Sequence, residues 1–235
     1  MYDISLFSAN KEEESEENYV ILPKTFSKID LSNCPEKRLR DYLEKRKIDQ
    51  GIIDKFNIGY TNWNEYDYMM RNRIIIPSYD EYGDLNYWVG RDFTGIQKIK
   101  YKNCTADKKK IIFQESHINW DFDIVLCEGA IDCLYLPNSI SLLGKGLYKD
   151  SFLFKELHKK ACGNIIIVLD SDTNITETKR IYGLLNFGRL KNKVWYVRMD
   201  KYKDFGEAYE KDGKKGIIDI LKNKKQFEEY ELIFE

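Results

Sequence analysis

The pattern of apolar and polar positions changes near residue 121. Beyond this point, short apolar runs alternate with amphipathic stretches, so the runs DIVLC, SISLL, NIIIVL and KVWYVRM predict strands with helices between them. This alternation is typical of a parallel sheet whose crossover helices cover both faces. Two short helices are predicted after Asp204 and at GIIDILKN, before a charged C-terminal end.

The upstream part predicts helices followed by antiparallel strands. A first helix is predicted to begin near Ser32 or Asn33, with Pro35 in its first turn, and Asp49 is predicted to cap a second helix that stops at Gly59. The runs RIIIPSY and LNYWVGR predict two strands joined by a turn at residues 80–84. Two further extended pieces are predicted, at residues 96–101 and 110–113.

Together the two patterns predict an α/β fold, in which a parallel sheet with flanking helices follows a smaller α+β N-terminal subdomain. A chain of 235 residues can bury one large core or two small ones. The predicted units are an acidic tail and extended segment at 1–30, the α+β subdomain at 31–120, the parallel-sheet domain at 121–223 and a C-terminal end at 224–235.

The composition disfavours a membrane-spanning protein, a zinc enzyme and a Ser-His-Asp hydrolase. The chain is 43% apolar and 33% charged, and it contains no apolar run of the length that a transmembrane helix needs. Its five scattered cysteines contain no C-x-x-C pair, which favours reduced thiols and a cytoplasmic location. Two distant histidines do not supply the spacing of a zinc site or a Ser-His-Asp triad. The net charge of −1 means that any contact with nucleic acid must depend on local patches.

Carboxylates follow three of the predicted strands. Glu128 follows DIVLC, Asp170 and Asp172 follow NIIIVL, and Asp204 and Glu207 follow the last strand. Because the carboxyl ends of parallel strands meet at one edge of a sheet, we expect these side chains to converge there. Oxygen ligands without His or Cys suit Mg²⁺ or Mn²⁺, so the pattern indicates metal-dependent phosphoryl chemistry.

Each acidic motif alone also has an ordinary structural explanation. Glu128 can end a strand at a tight turn, with Asp132 complementing the dipole of the following helix. Asp170 and Asp172 can form an Asx-rich turn before a helix capped at Thr173 or Asn174. The three motifs in one predicted sheet favour a metal site instead, because two divalent ions there could activate a 3′-hydroxyl and stabilise a departing pyrophosphate.

The acidic motifs resemble those of the Toprim domain, which bacterial and phage primases share with topoisomerases and some nucleases. The resemblance covers residues 122–222. The upstream segments YLEKRKIDQGIIDKFNIGY, RNRIIIPSYDEYGDLNYWVGRDF, KYKN and IFQE are similar to the N-terminal half of the DnaG-type primase catalytic core. The resemblance implies a DNA-directed RNA polymerase of the primase type, closest to phage versions. It also implies two Mg²⁺ or Mn²⁺ ions held by Glu128, Asp170, Asp172 and Asp204.

The same resemblance implies a surface for template and nucleotide. It assigns this role to five residues of the upstream unit: Arg73, Arg91, Lys100, Tyr101 and Asn103. The composition supports this role, because six lysines between residues 98 and 110 surround Tyr101, and basic residues interleaved with aromatic ones suit single strands. The alternative is a solvated lysine-rich loop. Arg91 is placed to grip a triphosphate through paired hydrogen bonds, and Lys145 in LLGKG resembles a phosphate-facing loop residue.

The chain departs from the family pattern at several points. Ser171 stands between the two aspartates where bacterial members usually have Gly, and Asp204-Phe205-Gly206-Glu207 replaces the common Asp-Pro-Asp/Asn-Glu. No ligand set for the usual zinc module is present, and there is no room for a helicase-binding domain. We therefore expect a catalytic core that acts on a single-stranded DNA template and ribonucleoside triphosphates, with a replicative helicase and a separate zinc-binding module as further partners. A bacterial or phage-infected host cytoplasm is the expected location.

Two other functions remain open. A Toprim nuclease would use the same metals with water as the nucleophile, and it would nick DNA or RNA without nucleotides. A non-catalytic replication accessory would bind single strands without metal or turnover. A topoisomerase is disfavoured, because a chain of this length has no room for strand-passage domains.

Overall fold

The structure, a computed structural model, describes residues 19–144 and 146–233. Two sheets are present in this part of the chain, one antiparallel and five-stranded, the other parallel and four-stranded, with helices around them. The predicted α/β fold class is confirmed. The acidic tail before residue 19 lies outside the described residues. No helix of the described part is long and apolar enough to cross a membrane.

The antiparallel sheet has its strands in chain order. They are β1 (Ser27–Lys28), β2 (Gly59–Thr61), β3 (Arg73–Tyr79), β4 (Leu85–Asp92) and β5 (Tyr101–Asn103). The predicted hairpin of β3 and β4 is confirmed, and its turn is closed by the Asp80 carboxylate, which accepts from the N–H groups of Tyr82 and Asp84. Within the lysine-rich segment, residues 98–110, only Tyr101–Asn103 form a strand. The extended piece predicted at 96–101 therefore overlaps a strand only at Tyr101, and the strand predicted at 110–113 is wrong.

Two helices cover this sheet, α1 (Lys37–Lys45) and α2 (Gln50–Lys55). The predicted cap of α2 is confirmed, because the Asp49 carboxylate accepts from the N–H of Ile52 at 2.9 Å. This helix ends before Gly59, the predicted stop, because Asn57 adopts a left-handed conformation with φ 51°.

The parallel sheet contains β6 (Ile124–Cys127), β7 (Ser139–Ser141), β8 (Ile165–Val168) and β9 (Val194–Val197), in the spatial order β7-β6-β8-β9. Its helices are α3 (Phe152–Lys160), α4 (Ile175–Leu185), α5 (Phe205–Lys222) and α6 (Glu229–Ile233). The predicted helix AIDCLYL is only a 3-10 turn, Asp132–Tyr135. Gly213, with φ 60°, interrupts α5, which agrees with the two short helices predicted there.

Alternate residues of the parallel strands enter two different cores. Ile124 and Leu126 pack in a cluster with residues of α3 and α4. Val125 and Cys127 pack on the other face, in a cluster that also contains Leu39 of α1 and residues of β3, β4 and α5. This second core therefore joins the two sheets into one packed body.

The close approach of β5 to β4 requires a glycine. A Cβ at Gly90 would lie 2.5 Å from the carbonyl oxygen of Lys102, whereas a Cβ at Gly183 on α4 would meet nothing within 4 Å. Gly90→Ala is therefore expected to lower the free energy of unfolding by about 2 kcal/mol. Gly183→Ala is expected to raise it by about 0.5–1 kcal/mol, because Ala restricts the unfolded chain. Urea denaturation measures both, and equal shifts of the same sign would contradict the close contact at Gly90.

Candidate active site

Three acidic segments meet at the carboxyl edge of the parallel sheet. Glu128 follows β6 directly, Asp170 follows β8 after one residue, and Asp204 precedes α5 in the connection from β9. The strands β6, β8 and β9 are neighbours and run parallel. The fold thus brings the predicted acidic motifs to one edge.

The carboxylates at this edge, Glu128, Asp170, Asp172 and Asp204, which we call the acidic edge, affect one another electrostatically. The pKa of Asp170 is raised to about 7, chiefly by burial and then by the negative charges of Glu128 and Asp204. Asp172 adds to this repulsion, while the ammonium group of Lys203 opposes it. Like charges this close resist ionisation unless a cation is near.

Glu128 and Asp172 each have one neighbour that orients them. The Thr173 hydroxyl donates to the Glu128 carboxylate at 2.8 Å, which links the strand ends of β6 and β8. Asp172 is exposed, and its carboxylate lies 3.8 Å from the Nζ of Lys203. The Glu128 carboxylate is therefore held by a hydrogen bond from a neighbouring loop, whereas the Asp172 carboxylate faces solvent.

Asp204 and Glu207 of the third motif have different surroundings. The Asp204 carboxylate caps α5 by accepting from the N–H of Glu207 at 2.7 Å, and it also repels Asp170. The Glu207 carboxylate accepts from the N–H of Lys203 at 2.5 Å and pairs with Lys211 at 2.8 Å. Of the two, Asp204 is the one whose charge acts on the acidic edge.

Asp132 is a further member of this edge that the sequence prediction treated as a helix-dipole partner. It is only 7% exposed, and its pKa is raised to about 8 by burial, then by Asp204 and Asp170. Its carboxylate accepts from the N–H of Gly206 at 3.1 Å, which ties the turn after β6 to the start of α5. The sequence signal for this role was the position of Asp132, only four residues after Glu128.

The acidic edge offers the kind of ligands that a divalent cation prefers. Its donors are all carboxylate oxygens, and burial followed by their mutual repulsion raises the pKa of Asp170 and Asp132, so bound positive charge would stabilise their ionised forms. Within residues 19–144 and 146–233, no group of three His, Cys, Asp or Glu side chains is already close enough to hold a metal ion. The chemistry of the donor set fits Mg²⁺ or Mn²⁺.

Arg73 is placed inside the antiparallel unit. Its side chain is fully buried, with a relative exposure of 0%. The guanidinium donates to the carbonyl oxygens of Ile99 at 2.9 Å and Lys100 at 3.1 Å, and its Nε donates to the carbonyl of Met69. In this structure Arg73 holds the chain beneath the predicted template surface and does not face solvent.

Arg91 and Tyr101 form a pair at the surface of β4 and β5. The guanidinium carbon of Arg91 lies 4.6 Å from the centre of the Tyr101 ring, and its buried Nε has no hydrogen-bond partner among the described residues. Burial raises the pKa of Tyr101, and the guanidinium of Arg91 opposes this shift. Arg91 and Tyr101 therefore form one cationic and aromatic pair on the antiparallel sheet.

The other predicted contact residues lie around this pair. Lys100 is exposed, whereas Asn103 is half-buried and its Oδ1 has no hydrogen-bond partner in the described structure. An open cleft of about 620 Å³ adjoins Arg91 and is bordered by Tyr42 and Arg46 of the α1 region. Lys145 lies outside the described residues.

The end of the lysine-rich segment is docked on the parallel-sheet unit. The Nζ of Lys108 donates to the carbonyl of Leu143 at 2.9 Å, and Lys109 pairs with Asp150 at 3.0 Å. These two lysines therefore already have partners, in contrast to Lys100.

Solved structures with this fold are catalytic cores of DnaG-type DNA primases. A DNA primase domain from Pseudomonas aeruginosa has a TM-score of 0.67 at 18% identity, covering 83% of this chain and 74% of that one. The Aquifex aeolicus primase, with zinc-binding and RNA polymerase domains, has a TM-score of 0.66 at 20% identity, covering 82% of this chain and 57% of that one. The fold predicted by the resemblance to primase cores is confirmed.

Sequence relatives have the same name. The DNA primase of Mycoplasma genitalium is 26% identical over 199 residues, covering 79% of this chain and 31% of that protein. The DNA primase of Thermotoga maritima is 22% identical over 270 residues, covering 96% of this chain and 46% of that protein. The chain thus spans less than half the length of these curated relatives, and no family model matches it. The chain is similar to bacterial DNA primases in sequence and in fold.

Proposed function

We propose that this chain is a DNA primase catalytic core that synthesises short RNA primers on single-stranded DNA by metal-dependent nucleotidyl transfer. The observation that supports this most directly is the shared core of the two sheets. Residues of β4, which carries Arg91, and of β6 and β8, which precede Glu128 and Asp170, belong to one buried cluster, so the Arg91–Tyr101 pair and the acidic edge are parts of one packed body. A nucleic-acid surface next to an acidic edge is what a templated polymerase requires.

The acidic edge is proposed to hold the metal ions through Glu128, Asp170 and Asp172, with Asp204 assisting. Mg²⁺ or Mn²⁺ bound there supplies the positive charge that nucleotidyl transfer needs at the 3′-hydroxyl and at the departing pyrophosphate. The chain's own contribution is to position these carboxylates: Thr173 orients Glu128 through its hydrogen bond. Lys203, beside Asp172, adds a cation at the rim of the site.

The basic surface is proposed to bind template and incoming ribonucleoside triphosphates. Arg91 stacks on Tyr101, so the terminal nitrogens of its guanidinium can donate paired hydrogen bonds to phosphate while the ring meets a base. Lys100 and Asn103 flank this pair on the same segment, and Lys145 belongs to the same proposal. For Arg73 we propose a positioning role, because its guanidinium already binds backbone carbonyls.

The remaining partners are proposals from the resemblance. One solved DnaG primase catalytic domain, with a TM-score of 0.60 at 18% identity, covering 80% of this chain and 74% of that one, is described as bound to single-stranded DNA. We propose the same template for this chain, with a replicative helicase and a separate zinc-binding module completing the enzyme in a bacterial or phage-infected cytoplasm.

A primer-synthesis assay tests the proposed function. The purified chain is incubated with single-stranded DNA, labelled ribonucleotides and Mg²⁺ or Mn²⁺, with and without candidate zinc-module and helicase proteins. We expect short RNA products that depend on template and on metal. Products that form without template would contradict templated synthesis, and nicking of the DNA when nucleotides are omitted would contradict the proposal and favour the nuclease.

A further inference from the structure

The loop between β2 and β3 displays three aromatic side chains to solvent. Trp63, Tyr66 and Tyr68 are 67%, 94% and 64% exposed, within six residues of one another. Burying a large aromatic side chain against a partner is energetically favourable, so three exposed rings in so short a segment indicate a binding surface. We call residues 62–68 the Trp63 loop. None of these aromatic residues has a role in the site described above.

The Trp63 loop is held from beneath. The buried Glu65 carboxylate accepts from the backbone N–H of Thr25 at 3.1 Å and from its hydroxyl at 2.6 Å. The Nε of Arg71 donates to the carbonyl of Glu65 at 2.7 Å, and its guanidinium carbon lies 5.7 Å from the centre of the Tyr68 ring. Because these contacts already order the loop, a ligand that stacks on its rings meets a lower entropic cost.

The Trp63 loop also lies beside the lysine-rich segment. The guanidinium of Arg73 donates both to Met69, in the turn that ends this loop, and to Ile99 and Lys100. The two segments therefore run past one buried side chain. Lys98 and Lys100 are exposed, and neither forms an ion pair within residues 19–144 and 146–233.

Exposed rings on a loop that neighbours a segment with unpaired ammonium groups match the chemistry of a single nucleic-acid strand. Bases stack on aromatic side chains, while lysines accompany the phosphates without reading sequence. The one exposed carboxylate of the loop, Asp67, is turned to the backbone, where it accepts from the N–H of Met69 at 2.9 Å. A duplex offers no free base faces to these rings, so the surface favours single strands.

We propose that the Trp63 loop is a stacking platform for single-stranded DNA, and that it extends the template path from the lysine-rich segment away from the acidic edge. This inference deepens the proposed function. It depends on that function in one respect, namely that the bound single strand is the template. Binding itself requires neither metal nor nucleotide. A failure of single-strand binding can therefore be distinguished from a failure of primer synthesis.

The first test uses fluorescence, because Trp63 is the exposed tryptophan of the chain while Trp88 is buried and Trp120 and Trp195 are half-buried. The whole chain is titrated in EDTA with an oligo(dT) of about 20 nucleotides. We expect quenching of tryptophan emission by the single strand and little change with a duplex of the same length. An equal response to the duplex, or none to the single strand, would overturn the proposal.

The second test measures affinity by anisotropy of a labelled oligo(dT). The double variant Trp63→Ala, Tyr66→Ala is expected to raise the Kd about ten-fold or more through the loss of two stacking faces. The matched control is Tyr82→Ala, which removes an equally exposed ring at the far end of β3, about 20 Å away. An unchanged Kd in the double variant, with a melting temperature equal to that of the parent chain, would overturn the proposal and leave the loop as a contact for another protein.

The lysines provide an independent readout. Replacing Lys98 and Lys100 by Gln is expected to reduce the slope of log K against log salt by about 0.7 for each lysine. The aromatic double variant is expected to leave this slope unchanged, because it removes no charge. In the primer-synthesis assay, the aromatic variant is expected to raise the KM for template and keep kcat. Loss of kcat with an unchanged KM would contradict a template-binding role.

Discussion

Asp170→Asn is expected to reduce ribonucleotide incorporation by at least about 1000-fold, because the carboxylate at the centre of the acidic edge contributes several kcal/mol through the metal charge that it holds. Asp170 is the residue on which Glu128, Asp172 and Asp204 all act, so no neighbour can replace it. Template-dependent incorporation of labelled ribonucleotides measures the effect at saturating Mg²⁺ and Mn²⁺.

The same substitution is expected to leave the fold intact and the melting temperature equal or higher. Asn has nearly the same shape and removes one of several repelling charges from a half-buried position. The control is Asp84→Asn, which neutralises an exposed carboxylate in the turn between β3 and β4 and should keep full activity. If the Asp170→Asn variant synthesised primers at a rate similar to that of the parent chain, the acidic edge would not be the site of nucleotidyl transfer.

Arg73→Ala is expected to lower the free energy of unfolding by about 3–5 kcal/mol. The substitution leaves a cavity at a fully buried position and deprives the carbonyl oxygens of Met69, Ile99 and Lys100 of their donor. Urea denaturation followed by circular dichroism measures the change. This expectation follows from burial and hydrogen bonds, whereas a role at the template surface alone would predict almost no effect on stability.

Arg198→Ala is the matched control for Arg73. Its side chain is 69% exposed and lies 3.7 Å from Asp200, so its removal is expected to change stability by less than about 0.5 kcal/mol. If Arg73→Ala were as stable as Arg198→Ala, the buried guanidinium would not be holding the loop and the lysine-rich segment together.

The positions of Glu128 and Asp170 at the ends of strands were predictable, because each residue follows an apolar run in the sequence. Glu128 and Asp170 lie where the alternation of strands and helices placed them. Asp132 was missed because its segment has the apolar pattern of a helix, whereas the chain there forms only a short 3-10 turn. That turn directs the carboxylate inward, and local periodicity does not reveal this direction.

Arg73 illustrates a second limit of sequence reasoning. A basic residue at the start of a strand, in a motif resembling a primase, predicts contact with phosphate. The carbonyl groups that capture its guanidinium come from residues 26 and 27 positions later in the chain. Such a long-range partner is set by the tertiary fold, and neither strand periodicity nor charge pattern encodes it.

The core that joins the two sheets has a consequence for how a primer could grow. Leu39 of α1, Ile76 of β3 and Val168 of β8 belong to one buried cluster, so the boundary predicted near residue 120 is not a hinge. Under the proposed function, the lysine-rich segment and the acidic edge stay at a fixed spacing through each addition. Advance by one nucleotide would then be a translocation of the nucleic acid across a stationary protein surface.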